Sequence, residues 1–291
     1  MSRILVIGAG GLLGSTLMSL GKDEMFGTYN TRPIEGSNLF QLDATKRQNA
    51  FKLVEKIKPD LVIDTHSITN VDYCETHPEE AWSVNVEGTK NIAEACKTFG
   101  AKMIFISTDY VFDGKKTTGY TEKDKPKPLN YYAKTKLIGE KILEALDVDY
   151  IIARTAVLYG HGGIGKISFP LWVVDKLKKK ETINVVIDQY NNPTYVKNLA
   201  ETLLLLYKKD ARGLFHITGP ECISRYDFAK LTAKTFGLDE SLIKQTRTPE
   251  INQVARRPEK LNMSNEKLRR VSKANLVGIN EGLQALKEQM L

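Results

Sequence analysis

The sequence predicts a doubly wound α/β fold, a parallel sheet with helices on both faces, carrying a smaller α/β substrate domain. Three observations point there. Short apolar runs alternate with helix-like segments through the first 160 residues. A glycine-rich turn joins the first run to the first helix. The alternation then breaks at Gly160, where a differently organised stretch begins.

RILVIG (3–8), MFGTY (25–29), LVIDT (61–65), MIFIS (103–107) and YIIART (150–155) are continuous apolar runs, as strands buried on both faces require. FQLDAT supplies a further short strand, with Asp43 at its end. Between the strands, LLGSTLMSLG, NAFKLVEKIK, PEEAWSVNVEGTKNIAEACKTFG and YYAKTKLIGEKILEAL each carry helical periodicity. After Gly160, HGGIG reads as a loop, followed by a helix near 168–180 and a strand near 183–187. VKNLAETLLLLYKK (196–209) is a helix suited to packing back on the sheet, and GLFHIT a strand after it. A helix at 224–236 and Pro-punctuated, charged segments follow, ending in a helix near 280–290. The expected division gives residues 1–160 and about 195–217 to a dinucleotide-binding domain, and about 161–194 and 218–291 to the substrate domain.

Composition narrows the function classes. The 42% hydrophobic and 26% charged content is that of a soluble globular chain. No stretch approaches the roughly 20 apolar residues of a membrane span, so no membrane partner is expected. The apolar start ILVIGAGGLLG breaks into glycines and lacks a cleavage region, unlike a signal peptide. Cys74, Cys96 and Cys222 are scattered with no CxxC pair, indicating neither a disulfide framework nor a metal site. A reducing cytoplasm is the expected setting. The net charge of +7 is spread thinly, and its densest run, KLKKK at 176–180, reads as a solvated helix face. A basic balance suits an anionic small molecule, and no aromatic-interleaved basic patch supports nucleic acid.

GAGGLLG places Gly8, Gly11 and Gly14 three residues apart, between a strand and a helix. Such glycines permit a tight turn and close approach of backbone to a pyrophosphate, whose charge sits on the helix N-terminus. The pattern is GxxGxxG, with Leu13 where the other common fingerprint has its last glycine. The second strand ends in YNTR. Asn30 and Arg32 stand where an acidic residue would bind ribose hydroxyls, which leans towards NADPH over NADH and leaves NADH open. Arg32 also reads as a solvated loop charge, and Asp43 either as an adenine contact or as a helix cap.

In a parallel sheet, ligands bind outside the carboxyl ends of the strands. MIFIS ends at Ser107, so Thr108, Asp109 and Tyr110 of STDYVFDG emerge there. A hydroxyl in that place suits a substrate carbonyl; a polar turn closed by Asp113–Gly114 fits equally. In NYYAKTK (130–136) only Tyr132 and Lys136 form an i, i+4 pair; Tyr131 at that spacing faces Thr135. Lys136 is therefore expected to lower the pKa of Tyr132 from about 10 and make it a proton donor.

With these motifs in order, the sequence resembles the extended short-chain dehydrogenase/reductases, and more closely the dTDP-4-dehydrorhamnose reductase family. GAGGLLG, VDYCE (71–75), WSVNVEGT (82–89), STDYVFDG, YYAKTKLIGE, DQYNNPTYVKNLA (188–200), GLFHITG and RRP (256–258) carry the match along most of the chain. The resemblance implies a Rossmann-type fold and reduction of a 4-keto nucleotide sugar by NADPH, dTDP-4-dehydro-L-rhamnose first. It implies Thr108, Tyr132 and Lys136 as a catalytic triad, with Asn85 in a proton relay. Cofactor contacts are implied for Gly11, Leu12, Leu13, Asp43, Ala44 and the stretch Thr65–His66–Ser67, and a substrate contact for Asp109. The family usually has Asn-Ala-Ala where this chain has Asp64-Thr65-His66; His66 reads either as a packed residue or as an active one. Val157 replaces a tryptophan beside the sugar, so the substrate wall differs. RRP reads as a diphosphate contact or as a structural junction. Another nucleotide-sugar ketoreductase or epimerase remains open, as do a homodimer and a non-catalytic NADP-binding subunit like that of methionine adenosyltransferase.

Overall fold

The computed structural model describes residues 2–21, 23–165 and 167–290. Strand β1 (Arg3–Ile7) leads through the glycine turn into α1 (Leu12–Ser19) and β2 (Glu24–Tyr29). β3 (Leu39–Gln41), α2 (Arg47–Ile57) and β4 (Leu61–Asp64) follow. Next come α3 (Val71–Thr76), α4 (Pro78–Trp82), α5 (Thr89–Phe99) and β5 (Lys102–Thr108). α6 (Tyr131–Leu146), β6 (Tyr150–Thr155) and the two-residue β7 (Leu158–Tyr159) close the first stretch. After it come α7 (Phe169–Lys178), β8 (Ile183–Val186), β9 (Tyr190–Asn191), β10 (Thr194–Tyr195), α8 (Val196–Lys208) and β11 (Gly213–His216). The chain ends with β12 (Ile223–Ser224), α9 (Arg225–Phe236), β13 (Ile243–Thr246), α10 (Glu266–Ser272) and α11 (Ile279–Glu288).

Seven strands form one sheet in the order β11-β6-β5-β4-β1-β2-β3, every pair parallel. The doubly wound arrangement expected from the alternation is present, and the strand order reverses beside β1. Alternate residues of β1 feed opposite faces, as strand pleating requires. Ile4 and Val6 join Leu17, Leu199 and Leu203 of α1 and α8 on one side, whereas Leu5 and Ile7 join Leu53, Val54 and Ile92 of α2 and α5 on the other. The helix at 196–209 does pack back on the sheet, because Leu199, Leu203 and Leu206 repeat on one face.

Outside the sheet lie two further apolar cores. Val173 and Leu177 of α7 pack with Ile183 and Val185 of β8 and Ala229 and Ala233 of α9. Tyr159, Tyr195 and Phe228 pack with Ile279 and Leu283 of α11. Within KLKKK, Lys176 pairs with Glu181 at 2.6 Å and Lys179 with Asp175 at 2.9 Å, the contacts of a solvated face. Among the described residues no helix is long and apolar enough to cross a membrane.

One expectation is corrected. PEEAWSVNVEGTKNIAEACKTFG is not one regular helix. Between α4 and α5 it widens into a π-helical turn over Ser83–Gly88, which contains Asn85. Such a turn leaves the apolar periodicity nearly intact, so the sequence pattern hides it, and it is a frequent device at functional sites.

Candidate active site

The glycine turn sits at the carboxyl end of β1. Gly8 takes a φ of +86°, and its amide donates to Thr28 Oγ1 at 3.1 Å. No side chain caps α1 at Gly11, so the amides of its first turn, from Leu12, Leu13 and Gly14, are left for an external acceptor. The turn therefore fits a dinucleotide pyrophosphate. The HGGIG segment lies against it: the Ile164 amide donates to the Gly10 carbonyl at 2.9 Å. Arg32 Nη1 in turn donates to the Ile164 carbonyl at 2.9 Å. Asn30 is exposed at the end of β2, and its carbonyl accepts from Gln41 Nε2 at 3.1 Å.

Asp43 lies two residues beyond β3 and closes a turn, accepting from the Thr45 amide at 3.0 Å and the Thr45 hydroxyl at 2.6 Å. It does not cap α2, whose N-cap is Lys46. Asn91 of α5 holds this turn through the Ala44 carbonyl at 2.9 Å and the Thr45 carbonyl at 3.1 Å. Beneath the glycine turn, Thr65 Oγ1 donates to the Ile7 carbonyl at 2.7 Å. His66 uses both ring nitrogens: Nδ1 meets the Asp64 carboxylate and Nε2 lies 3.1 Å from the Val84 carbonyl in the π turn. Its ring is packed and satisfied, leaving its backbone towards Gly8.

Asn85 is fully buried and acts as a staple. Its Oδ1 accepts from the Ile68 amide at 2.8 Å and Ser67 Oγ at 3.0 Å, while Nδ2 donates to Thr135 Oγ1 on α6 at 3.1 Å. The 65–68 stretch is thereby tied to the helix that bears Tyr132 and Lys136. Asn130 caps that helix, accepting from the Ala133 amide at 2.9 Å, and its Nδ2 donates to the Arg256 carbonyl at 2.9 Å.

Thr108, at the last position of β5, is buried and donates to Asp109 Oδ1 at 3.2 Å. Asp109 is also buried and accepts from Asn191 Nδ2 on β9 at 2.6 Å. Burial pushes its carboxyl up to about 6, against the opposing pull of Asn191, Thr108 and the Arg225 charge. Tyr132 is partly buried beside Thr108. Burial raises its phenol well above the usual tyrosine range, opposed by the Thr108 hydroxyl.

The expectation that Lys136 lowers the Tyr132 pKa is thus overturned. The Lys136 ammonium lies 4.2 Å from the Phe105 ring centroid, and its charged neighbours are Asp64 and Glu140. Burial brings Lys136 itself down to about 8, with those two carboxylates opposing. The i, i+4 spacing places the two side chains on one face of α6, where the ammonium packs over the Phe105 ring.

Tyr110 is held at the same strand end, its phenol raised by burial, with Arg225 and Arg257 as its cationic neighbours. Arg225, at the start of α9, and Asn191 are functional candidates that local motifs could not reveal, because only the fold brings them to β5. Arg257 of RRP makes a bidentate contact with Asp72 on α3 at 2.9 and 3.0 Å, which is the junction reading of that motif. Val157 follows β6 with a φ of +41°, a strained conformation for a β-branched residue, and packs at the margin of the Tyr159–Phe228 cluster.

The whole chain, residues 1–291, matches the family described as RmlD substrate binding domain. It is 36% identical over 235 residues to dTDP-4-dehydrorhamnose reductase of Aggregatibacter actinomycetemcomitans, covering 79% of this chain and 77% of that protein. It is 32% identical over 268 residues to the probable low-salt glycan biosynthesis reductase Agl14 of Haloferax volcanii, covering 89% of each. Its structure is similar to that of dTDP-4-dehydrorhamnose reductase from Bacillus anthracis in complex with NADP, with a TM-score of 0.90, 29% identity and 99% of each chain covered.

Proposed function

The chain belongs to the RmlD substrate binding domain family, and from that premise we propose that it reduces dTDP-4-dehydro-L-rhamnose to dTDP-L-rhamnose with NADPH. The observation that carries the reading is the meeting of Thr108 and Tyr132 at the carboxyl end of β5, with Lys136 one helical turn on. This set stands beside a glycine turn whose amides fit a pyrophosphate.

Bound NADPH would supply a hydride for C4 of the sugar. Gly11, Leu12 and Leu13 would receive its pyrophosphate, Arg32 its 2′-phosphate, and Asp43 and Ala44 its adenine end. Thr65, His66 and Ser67 would line its path under the glycine turn. Thr108 orients the keto oxygen, and Tyr132 gives that oxygen the proton that completes the alcohol. The raised phenol is fully protonated at neutral pH, the state a donor needs. Lys136 holds the nicotinamide ribose and places positive charge near the phenolate left behind. Asp109 and Tyr110 face the sugar, Val157 shapes its outer wall, and the residues about 161–194 and 218–291 form the substrate domain that closes the cleft. The same reading places the protein in the cytoplasm, with homodimer formation as a further expectation.

The test follows NADPH absorbance with dTDP-4-keto-6-deoxy sugars. Oxidation with the rhamnose precursor supports the reading; NADPH binding without oxidation by any such sugar would favour a binding-only subunit. Three further outcomes are expected. Turnover should fall as the pH rises through about 8, because Lys136 acts as the ammonium and loses its proton there; a rate flat well beyond that pH would remove its charge from the mechanism. Arg32→Ala should raise the Kd for NADPH by about tenfold or more through loss of a charged contact while changing NADH far less, and an equal loss for both would count against the 2′-phosphate role. Tyr131→Phe should turn over like the parent, since Tyr131 points away from the face shared by Tyr132 and Lys136. A large loss of kcat in that variant would reassign the donor.

A further inference from the structure

Behind the active site lies a buried ion cluster that none of these roles uses. Glu140 of α6 accepts from Arg154 of β6 in a two-pronged contact, Nε to Oε1 at 2.8 Å and Nη2 to Oε2 at 2.6 Å. Its Oε1 also accepts from Ser107 Oγ of β5 at 2.5 Å. All three residues are buried, with Glu140 at 1% exposure. Ser107 immediately precedes Thr108 and stands opposite Arg154 in the β5–β6 ladder. Glu140 lies one turn beyond Lys136 and two beyond Tyr132, on the same face of α6.

We propose that Ser107, Glu140 and Arg154 are positioning residues that lock α6 in register against the ends of β5 and β6, so that Tyr132 and Lys136 meet Thr108. The inference rests on the reduction proposed above. An ion pair buried this deeply adds little stability over well-packed apolar residues, whereas a bidentate fork is directional and admits one register. The helix is pressed close at this point. A Cβ on Gly139 would lie 2.6 Å from the Phe105 ring, the same ring over which the Lys136 ammonium sits. A slip of one residue would shift the phenol by about 1.5 Å and turn it by about 100°, and misplacement on that scale costs roughly a hundredfold in rate. Arg154 keeps this geometry although its Nη1 has no hydrogen-bond partner among the described residues. Glu140 has a second effect. Together with Asp64 on β4 and Cys74 on α3, it favours the charged form of Lys136 against burial.

The test uses Glu140→Gln/Arg154→Met, which removes both charges at similar volume, and Ser107→Ala, which removes one hydrogen bond. Thermal unfolding, kcat, KM for NADPH and the titration of Lys136 by 13C NMR of its ε-carbon are measured against the parent. The double variant is expected to fold, to lose about a hundredfold in kcat at little-changed KM for NADPH, and to titrate Lys136 at lower pH. A folded double variant with parental kcat and parental Lys136 titration overturns the proposal. Should the double variant not fold, Ser107→Ala decides: a lower kcat at unchanged KM and unfolding temperature supports positioning, and parental kcat overturns it. A parent protein without turnover defeats the reduction reading instead, and the Lys136 titration alone then judges the cluster.

Discussion

Tyr132→Phe is expected to lower kcat by about 10²–10⁴-fold, the usual loss when a positioned proton donor is removed. The substitution deletes one hydroxyl and keeps the ring, so the packing of α6 survives. On the proposed reading Thr108 remains to orient the keto oxygen, and Lys136 keeps its place over the Phe105 ring and the influence of the Asp64 and Glu140 charges. What is lost is the proton for an oxygen that becomes strongly basic as the hydride arrives. The loss should therefore appear in kcat, with NADPH affinity little altered, as for an interaction made in the transition state. Equal rates for the variant and the parent would remove Tyr132 from the chemistry and leave Thr108 and the glycine turn as a binding site only.

The second large effect is expected at Gly14. A Cβ there would lie 2.2 Å from the Gly8 carbonyl oxygen and 2.8 Å from the Ala9 Cα, both backbone atoms that no rotamer change can move. Gly14→Ala must push α1 away from the end of β1. Overpacking of this kind costs about 1–3 kcal/mol, which lowers Tm by roughly 2–5 °C in a chain of this size. Because the same displacement carries away the first-turn amides, NADPH affinity should fall by at least about tenfold. Gly11→Ala is the control. Its Cβ would meet nothing nearer than the Gly8 carbonyl oxygen at 3.5 Å, so its Tm should stay close to the parent's. Comparable melting of the two variants would show that close helix–strand packing is not what Gly14 provides.

The parts legible in the sequence were those fixed by local periodicity. Continuous apolar runs of strand length forced a sheet buried on both faces, and the glycine spacing marked where the first strand turns. The spacing of Tyr132 and Lys136 separated them from Tyr131 and Lys134 without any structure. Asn130 was not singled out in the sequence; its cap on α6 and its bond to the distant Arg256 carbonyl emerge only in the folded chain. The π turn around Asn85 escaped because one widened turn barely disturbs the helical period. The Asp109–Asn191 bond escaped because its partners are far apart in the chain and only the tertiary fold joins them.

Protonation shows the division most clearly. The sequence by itself determined that a tyrosine and a lysine share a helix face, in a chain that also carries a glycine-rich strand-to-helix turn and a hydroxyl at a strand end. Spacing along a helix is a property of the backbone, so it can be read from residue order. The tertiary structure decided the electrostatics: burial raises the Tyr132 phenol, turns Lys136 towards Phe105 and brings its ammonium down to about 8. It also decided that His66 spends both ring nitrogens on Asp64 and Val84. Desolvation and hydrogen-bond partners depend on which distant segments cover a group, and only the packed chain brings those segments together.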